Sequence, residues 1–265
     1  MVLGMPTTAA AQEAPNLLTD DWQFSLGTFL INSEPTVTLN GETQTGSEVD
    51  FDDALGGGDA SRIRLDGTWR MTDSGRHKLR MFAFSMNRDN TRKFDDDITW
   101  GDGTFPADVD VKAEFKFSII QLAYEYEFLQ RDNYEVGASF GLHYTSLEAS
   151  LSGQATVGEN TTPVDYKNDA SVDLPLPVFG LHGLWRLPQN FWIAASAQYF
   201  ALSIDEYDGS VTDYRVLLNW QPSKWLGVGL GYDVFEVDVD VEKDKFNGSL
   251  NLKYDGPMLF YSIAF

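Results

Sequence analysis

The sequence predicts an all-β chain: a transmembrane, antiparallel, up-and-down β-barrel, with ten strands preferred over eight or twelve. Three observations carry that reading. The last ten residues, GPMLFYSIAF, alternate: Leu259, Tyr261 and Ile263 are bulky and apolar, with smaller or mixed residues between them, and the run stops on Phe265. A soluble domain rarely holds its last residue in such a strand, because termini fray. No stretch approaches the ~20 apolar residues that a spanning helix needs. Finally, short turns and longer polar stretches alternate along the chain, as the two ends of a membrane barrel require.

Composition agrees. Of 265 residues 43% are hydrophobic, and 18 Phe, 11 Tyr and 7 Trp suit aromatic girdles at two interfaces. Mean hydropathy is -0.26. With no cysteine, neither a disulfide framework nor a thiolate metal site can form. At the N-terminus, Ala9-Ala10-Ala11 before Gln12 reads as a small-residue cleavage site, so residues 1–11 are expected to be the remnant of an export signal. Residues 12–20 then form a periplasmic lead, and 21–265 the barrel.

The elements follow in order. A first strand is expected near 21–33 and a terminal strand near 246–265, paired to close the barrel. Turn chemistry marks Thr72-Asp73-Ser74-Gly75, 130–133, Pro188-Gln189-Asn190 and Gln221-Pro222-Ser223-Lys224. Longer loops are expected near 34–59, 89–111, 152–173, 205–211 and 240–247. Four turns and five loops join ten strands and return Phe265 to the end where the chain begins. Facing can be read directly. In 61–71, Ile63, Leu65, Trp69 and Met71 share one parity, and Arg62, Arg64, Asp66 and Arg70 the other. In 120–128, Ile120, Leu122, Tyr124, Tyr126 and Phe128 point out, over Gln121, Ala123, Glu125 and Glu127. In 134–144, Tyr134, Val136, Ala138, Phe140, Leu142 and Tyr144 oppose Glu135, Gly137, Ser139, Gly141 and His143. In 225–234, Leu226 to Val234 lie over Gly227, Gly229 and Gly231. Three apparent parity flips read as bulges: Phe115, Phe117 and Ile119 before Ile120; Val234 before Phe235, Val237 and Val239; and Tyr254 before Leu259. The run 76–90 puts Phe82 and Phe84 on the parity of Lys78 and Arg80 and gives no consistent face.

A tryptophan-led first strand (Trp22-Gln23-Phe24-Ser25-Leu26), a GETQTG hairpin, FDDALGG at 51–57 and a closing Gly-Pro strand ending in Phe form a set. The set resembles small outer-membrane β-barrel proteins of Gram-negative bacteria, a porin-like group with a C-terminal Phe. The resemblance spans most of the chain, but its motifs are short and architectural. It implies the fold, a place in the bacterial outer membrane, and a short helix or turn for FDDALGG in the first loop. It also implies contact with outer-membrane lipids and lipopolysaccharide. Phe265, Ile263 and Tyr261 are then the membrane-insertion signature, read by the barrel assembly machinery through the C-terminal strand.

Three groups of residues are candidates for chemistry. Arg62, Arg64, Asp66, Arg70 and Arg80 face Glu125, Glu127, Asp213 and Asp233 across a narrow lumen, with His143 and His182 also inward. These line a charged constriction that selects solutes, or they are paired charges that fill a small barrel. The net charge of -21, from 40 acidic and 19 basic residues, disfavours nucleic acid. Loop carboxylates at Asp95, Asp96, Asp97, Asp102, Asp238 and Asp240 could take calcium or magnesium through oxygen ligands, although no complete calcium-loop spacing is present. The simpler alternative is a solvated acidic rim. No resident cofactor or metal is expected. Catalysis is disfavoured: there are only three histidines, His77 sits beside a turn, and no nucleophile motif marks a serine near His143 or His182. The expected function is therefore non-enzymatic. It is first a narrow channel for small solutes or ions, and alternatively a closed barrel whose acidic loops bind divalent cations, lipopolysaccharide or a surface partner. A lipid-modifying enzyme or protease is a distant third.

Overall fold

A computed structural model describes residues 15–42, 44–57, 60–158, 162–204, 207–243 and 246–265. In chain order the elements are β1 (Trp22–Leu39), β2 (Glu48–Asp50), α1 (Phe51–Ala54), β3 (Ala60–Arg70), β4 (His77–Lys93), β5 (Ile98–Trp100) and β6 (Gly103–Phe105). There follow β7 (Asp110–Gln130), β8 (Tyr134–Val157), β9 (Val164–Arg186), β10 (Phe191–Ile204), β11 (Tyr207–Ser223), β12 (Leu226–Lys243) and β13 (Phe246–Ala264). The ten long strands pair antiparallel with their neighbours, and β1 pairs β13 from Gln23↔Ala264 to Leu39↔Gly248, closing the wall as expected. The signal remnant at 1–11 lies outside the described residues.

Three of the four turns fall where turn chemistry placed them; the fourth is shifted to Lys224-Trp225, because β11 runs on through Gln221, Pro222 and Ser223. The loops do not have the expected length. Residues 152–157 and 164–173 belong to β8 and β9, which run for 24 and 23 residues, and most of 205–211 and 240–247 is strand as well. A tilted strand spans a bilayer in about 9–11 residues. The wall therefore continues well past any spanning segment at the loop end.

Facing explains that excess. A belt of exposed apolar side chains rings the turn half of the barrel, including Leu65, Trp69, Leu122, Tyr126, Leu142, Leu181, Val216, Leu230 and Tyr261. Trp22 stacks on Trp69 (centroids 5.2 Å apart), and Trp225 stacks on Phe265 (5.5 Å), as girdle aromatics do. Toward the loop end the outer face turns polar, with Lys116 paired to Glu148 at 2.8 Å. The inner face changes in the opposite sense. Phe115, Phe117 and Ile119 are buried on the same parity as Gln121, Ala123 and Glu125. Phe235, Val237 and Val239 continue the row of Asp233, and Tyr254 continues that of Met258 and Phe260. The three apparent flips are therefore not bulges. Parity is constant along each strand, and the interior itself passes from polar to apolar. The two register shifts in the long ladders lie beside turns, at Tyr126/Leu129 and Trp220/Ser223. The unassigned run 76–90 follows the same rule, because Lys78, Phe82, Phe84 and Met86 all face inward.

The loop half is packed like a soluble core. Phe235 stacks on Tyr254 (4.8 Å), which also meets Phe84 (5.6 Å), Phe29 (5.7 Å) and Phe117 (6.2 Å). FDDALGG caps this core. Asp50 accepts from the Asp53 amide to start α1, and the left-handed Gly56 (φ 85°) and Gly57 (φ 66°) end it, a geometry that suits glycine. Phe51 is buried against Phe115 (5.7 Å) and Trp100 (5.8 Å), the latter on the β5–β6 hairpin. Arg88 and Arg92 of β4 hold α1 through Asp52 (3.2 Å) and Asp53 (2.6 Å). At the turn end, Leu17 and Leu18 pack with Trp192 and Ala264, and the Leu17 carbonyl accepts from Arg70 Nη2 (2.9 Å) and Gln23 Nε2 (2.6 Å).

Candidate functional site

The lumen of the turn half holds the charges. Its lower cluster joins β3, β4, β7, β8 and β9. Arg70 Nη1 meets Glu135 at 3.1 Å, Lys78 Nζ meets Glu127 at 2.6 Å and also contacts Glu135, and Arg80 Nε meets Glu125 at 2.6 Å. His182 Nε2 lies 2.7 Å from Glu127, and its Nδ1 lies 3.7 Å from Glu125. Gly137 makes room for this pair, since a Cβ there would sit 2.6 Å from both Glu127 Oε2 and His182 Nε2. An upper cluster joins Arg64 to Asp233 (2.6 Å) and Asp66 (3.0 Å), and Arg215 to Asp66 (2.6 Å), beside buried Asp213. Arg64 also lies under the Phe82 ring, 4.2 Å from its centroid. Above that, Gln198 Oε1 accepts from Gln121 Nε2 (2.7 Å) and His143 Nε2 (3.1 Å), and His143 stacks on Phe235 at 6.4 Å. The step from paired charges to aromatics thus passes through Arg64 and this amide pair.

Nine of the eleven lumen candidates lie in the two charge clusters, and His143 lies above them with Gln198. Arg62 lies in neither: it donates to the backbone carbonyl of Asn87 of β4 at 3.2 Å, in an exposed bond beyond the end of the β3–β4 ladder. His143 and His182 share inward parity but sit apart, opposite Leu176 and Gly137 respectively. Missing from the sequence reading were Lys78, Arg215 and Gln198, and Glu135 was placed inward without a role. Lys78 sat in the strand whose phenylalanines concealed its facing.

The loop carboxylates do not converge. Asp97 Oδ1 accepts from the Ala107 amide (2.8 Å) and Asp102 Oδ1 from the Glu42 amide (2.8 Å), so both brace backbone. Asp95 and Asp96 are exposed, and Asp238 and Asp240 lie on β12 rather than in a loop. Among the described residues, the one group with metal-ligand spacing is Glu125, Glu127 and His182. Arg70, Lys78 and Arg80 already balance Glu125, Glu127 and Glu135, so a divalent ion there would meet no spare negative charge. A cavity of about 140 Å³ lies beside this cluster, lined among others by Lys78, Arg80, Glu125, His182 and Arg215. Leu17 and Trp192 also line it, on the turn side.

Known structures bear on the fold. The chain is similar to the outer-membrane protease OmpT from Escherichia coli, at 9% identity and a TM-score of 0.55, over 96% of this chain and 99% of that one. It also aligns with the Pseudomonas putida toluene transporter TodX, at 11% identity and a TM-score of 0.39, over 93% and 90% of the two chains. A further alignment is with Ail, the attachment invasion locus protein of Yersinia pestis, at 10% identity and a TM-score of 0.33, over 90% and 98%. No family model and no curated protein matches the sequence. A closed wall of ten antiparallel strands, an outward apolar belt and the likeness to OmpT together give this chain the fold of a small outer-membrane β-barrel.

Proposed function

We infer that this protein is a closed, non-enzymatic barrel of the bacterial outer membrane that works through its wall and its extracellular collar rather than by passing solutes along its axis. The observation that carries the reading is the filled interior. Phe29, Phe115, Phe117, Phe235 and Tyr254 are at most 1% exposed inside the loop half, with Phe51 and Trp100 above them. Below, every long cationic side chain of the lower cluster is already paired. With the loop end outside the cell, the polar outer face of the strand extensions forms the collar. Its carboxylates, including Glu148, Asp169, Glu236 and Asp238, suit cation-bridged contact with lipopolysaccharide phosphates. The histidines suit structural roles, since His143 and His182 are buried within networks and His77 bonds Tyr124 on the outer face (2.6 Å).

A gated channel is the second reading. It draws on the polar cavity and on the shortness of both plugs, α1 at one end and residues 15–20 at the other. Planar-bilayer recording of the refolded protein in a KCl gradient tests the pair. The closed-barrel reading expects inserted protein with no conductance steps. Discrete steps with a measurable reversal potential would favour the channel and return attention to Arg64, Arg80, Glu125 and Asp233.

A further inference from the structure

Two seams of the wall are short. The β3–β4 ladder stops at Arg64↔Phe84, but α1 sits beside the free part of β4, held by Arg88, Asn90 and Arg92. The β9–β10 ladder runs only from Trp192↔Arg186 to Tyr199↔Phe179. Beyond it, β9 continues to Val164 and β10 to Ile204 without pairing each other. Each strand keeps its other neighbour: β8–β9 stays in register to Ala155↔Val164, and β10–β11 to Ile204↔Tyr207. Among the described residues, no strand or helix pairs with the free edge of β9.

The height of this opening matters. Leu142 and Tyr144, opposite Pro177 and Pro175, are 45% and 48% exposed, and Phe179 and Tyr199 are 57% and 58% exposed. The seam therefore starts within the apolar belt, where the neighbouring medium is lipid hydrocarbon. Unpaired backbone is costly at that depth, and proline limits the cost by removing the N–H donor. Alternate residues present their N–H groups to the same strand edge. Pro175 and Pro177 thus withdraw two donors from one edge, while the ladder to β8 continues through both. The lips are apolar. Leu176 of β9 and Phe200 of β10 are partly buried and pack on the loop-half core, with Leu174 and Val178 buried behind them.

We propose that the β9–β10 seam is a lateral portal, at which the acyl chain of a lipid in the loop-side leaflet lies between Leu176, Val178 and Phe200 against the apolar interior. The proposal gives the closed-barrel reading a ligand class and rests on it only in taking the loop half to be filled. The occupant follows from position: the outer surface flanking the seam is already the lipid-facing belt, and the interior behind it is apolar to the same height.

The test uses the whole protein in phosphatidylcholine vesicles doped with a phosphatidylcholine that carries a diazirine on its acyl chain. After photolysis, peptide mass spectrometry locates the adducts. The portal predicts adducts on the inward residues Leu174, Leu176, Val178 and Phe200 as well as on outward Leu142 and Tyr144. Adducts confined to outward residues would overturn it. A Val178→Cys/Phe200→Cys variant puts one thiol on each lip of a chain that has no other cysteine. Stapling by oxidation is expected to reduce the inward adducts several-fold, and reduction to restore them, with the outward adducts unchanged as the sign of an intact barrel. Inward adducts that persist in the stapled form would also overturn the portal. Conductance plays no part in this readout, so a conducting barrel would refute the closed-barrel reading without deciding the portal.

Discussion

The turn half and the loop half of this barrel are built on opposite rules. Around β7, the turn half places Leu122, Tyr124 and Tyr126 outward over Gln121, Glu125 and Glu127, whereas the loop half places Lys116 outward over Phe115 and Phe117. One strand, with unbroken alternation, serves as a membrane strand over part of its length and as a soluble-barrel strand over the rest. The outer medium decides which. In hydrocarbon the outward residues must be apolar, and an interior of charges is tolerated because Arg64, Asp66, Arg70, Lys78, Arg80, Glu125, Glu127, Glu135, Arg215 and Asp233 are paired. In water the outward residues can be charged, and burying the inner row stabilises the fold through the hydrophobic effect. Sidedness is thus a local property of height, not of the barrel.

The largest test of the contrast is Arg64→Ala. It removes the partner of Asp233 and one partner of Asp66 at the boundary between the halves. Stranding a buried charge costs about 3–5 kcal/mol, so urea-titrated unfolding from micelles should show a loss of that order. Next comes Phe117→Ala, in the loop-half core beside Tyr254 and Phe235. A cavity there should cost about 3 kcal/mol or more, while the outward neighbour Ile120→Ala should cost clearly less; equal losses would break the comparison. Arg88→Ala removes one of the two ion pairs that hold α1 and should cost about 0.5–1 kcal/mol, because the pair is partly solvated. Lys116→Ala, on the exposed outer face, should change stability by less than about 0.5 kcal/mol.

Much of the architecture was legible in the sequence. Turn chemistry at Thr72–Gly75 and Pro188–Asn190, the alternation in 120–128 and 134–144, and the closing strand to Phe265 gave the strand count, the closure and the outer belt. The glycine row on β12 was also read correctly as inward; Gly229 leaves space that the Phe260 ring fills, since a Cβ would stand 2.1 Å from that ring. The loop half was not legible, for a physical reason. Reading the barrel as apolar-out throughout makes an inward aromatic look like a change of parity, so the rows at Phe115, Phe235 and Tyr254 imitate bulges. The same assumption left β4 without a face and kept Lys78 out of the lumenal network. Arg215 was missed because its row, with Asp213, Leu217 and Asn219, mixes apolar and polar residues. The open β9–β10 seam had a signal, Pro175 and Pro177 in alternate positions, but a missing partner strand is not visible in one strand's sequence.

The most direct test of the inversion is a single-cysteine scan of β7 in the otherwise cysteine-free chain, reading spin-label collisions with oxygen and with a water-soluble nickel chelate in bilayers. Ile120, Leu122 and Tyr124 are expected to meet oxygen and Lys116 the chelate, with Phe115, Phe117 and Ile119 shielded from both. Ready access of the chelate to Phe115, Phe117 and Ile119 would contradict it, because the loop half would then enclose water rather than a packed core.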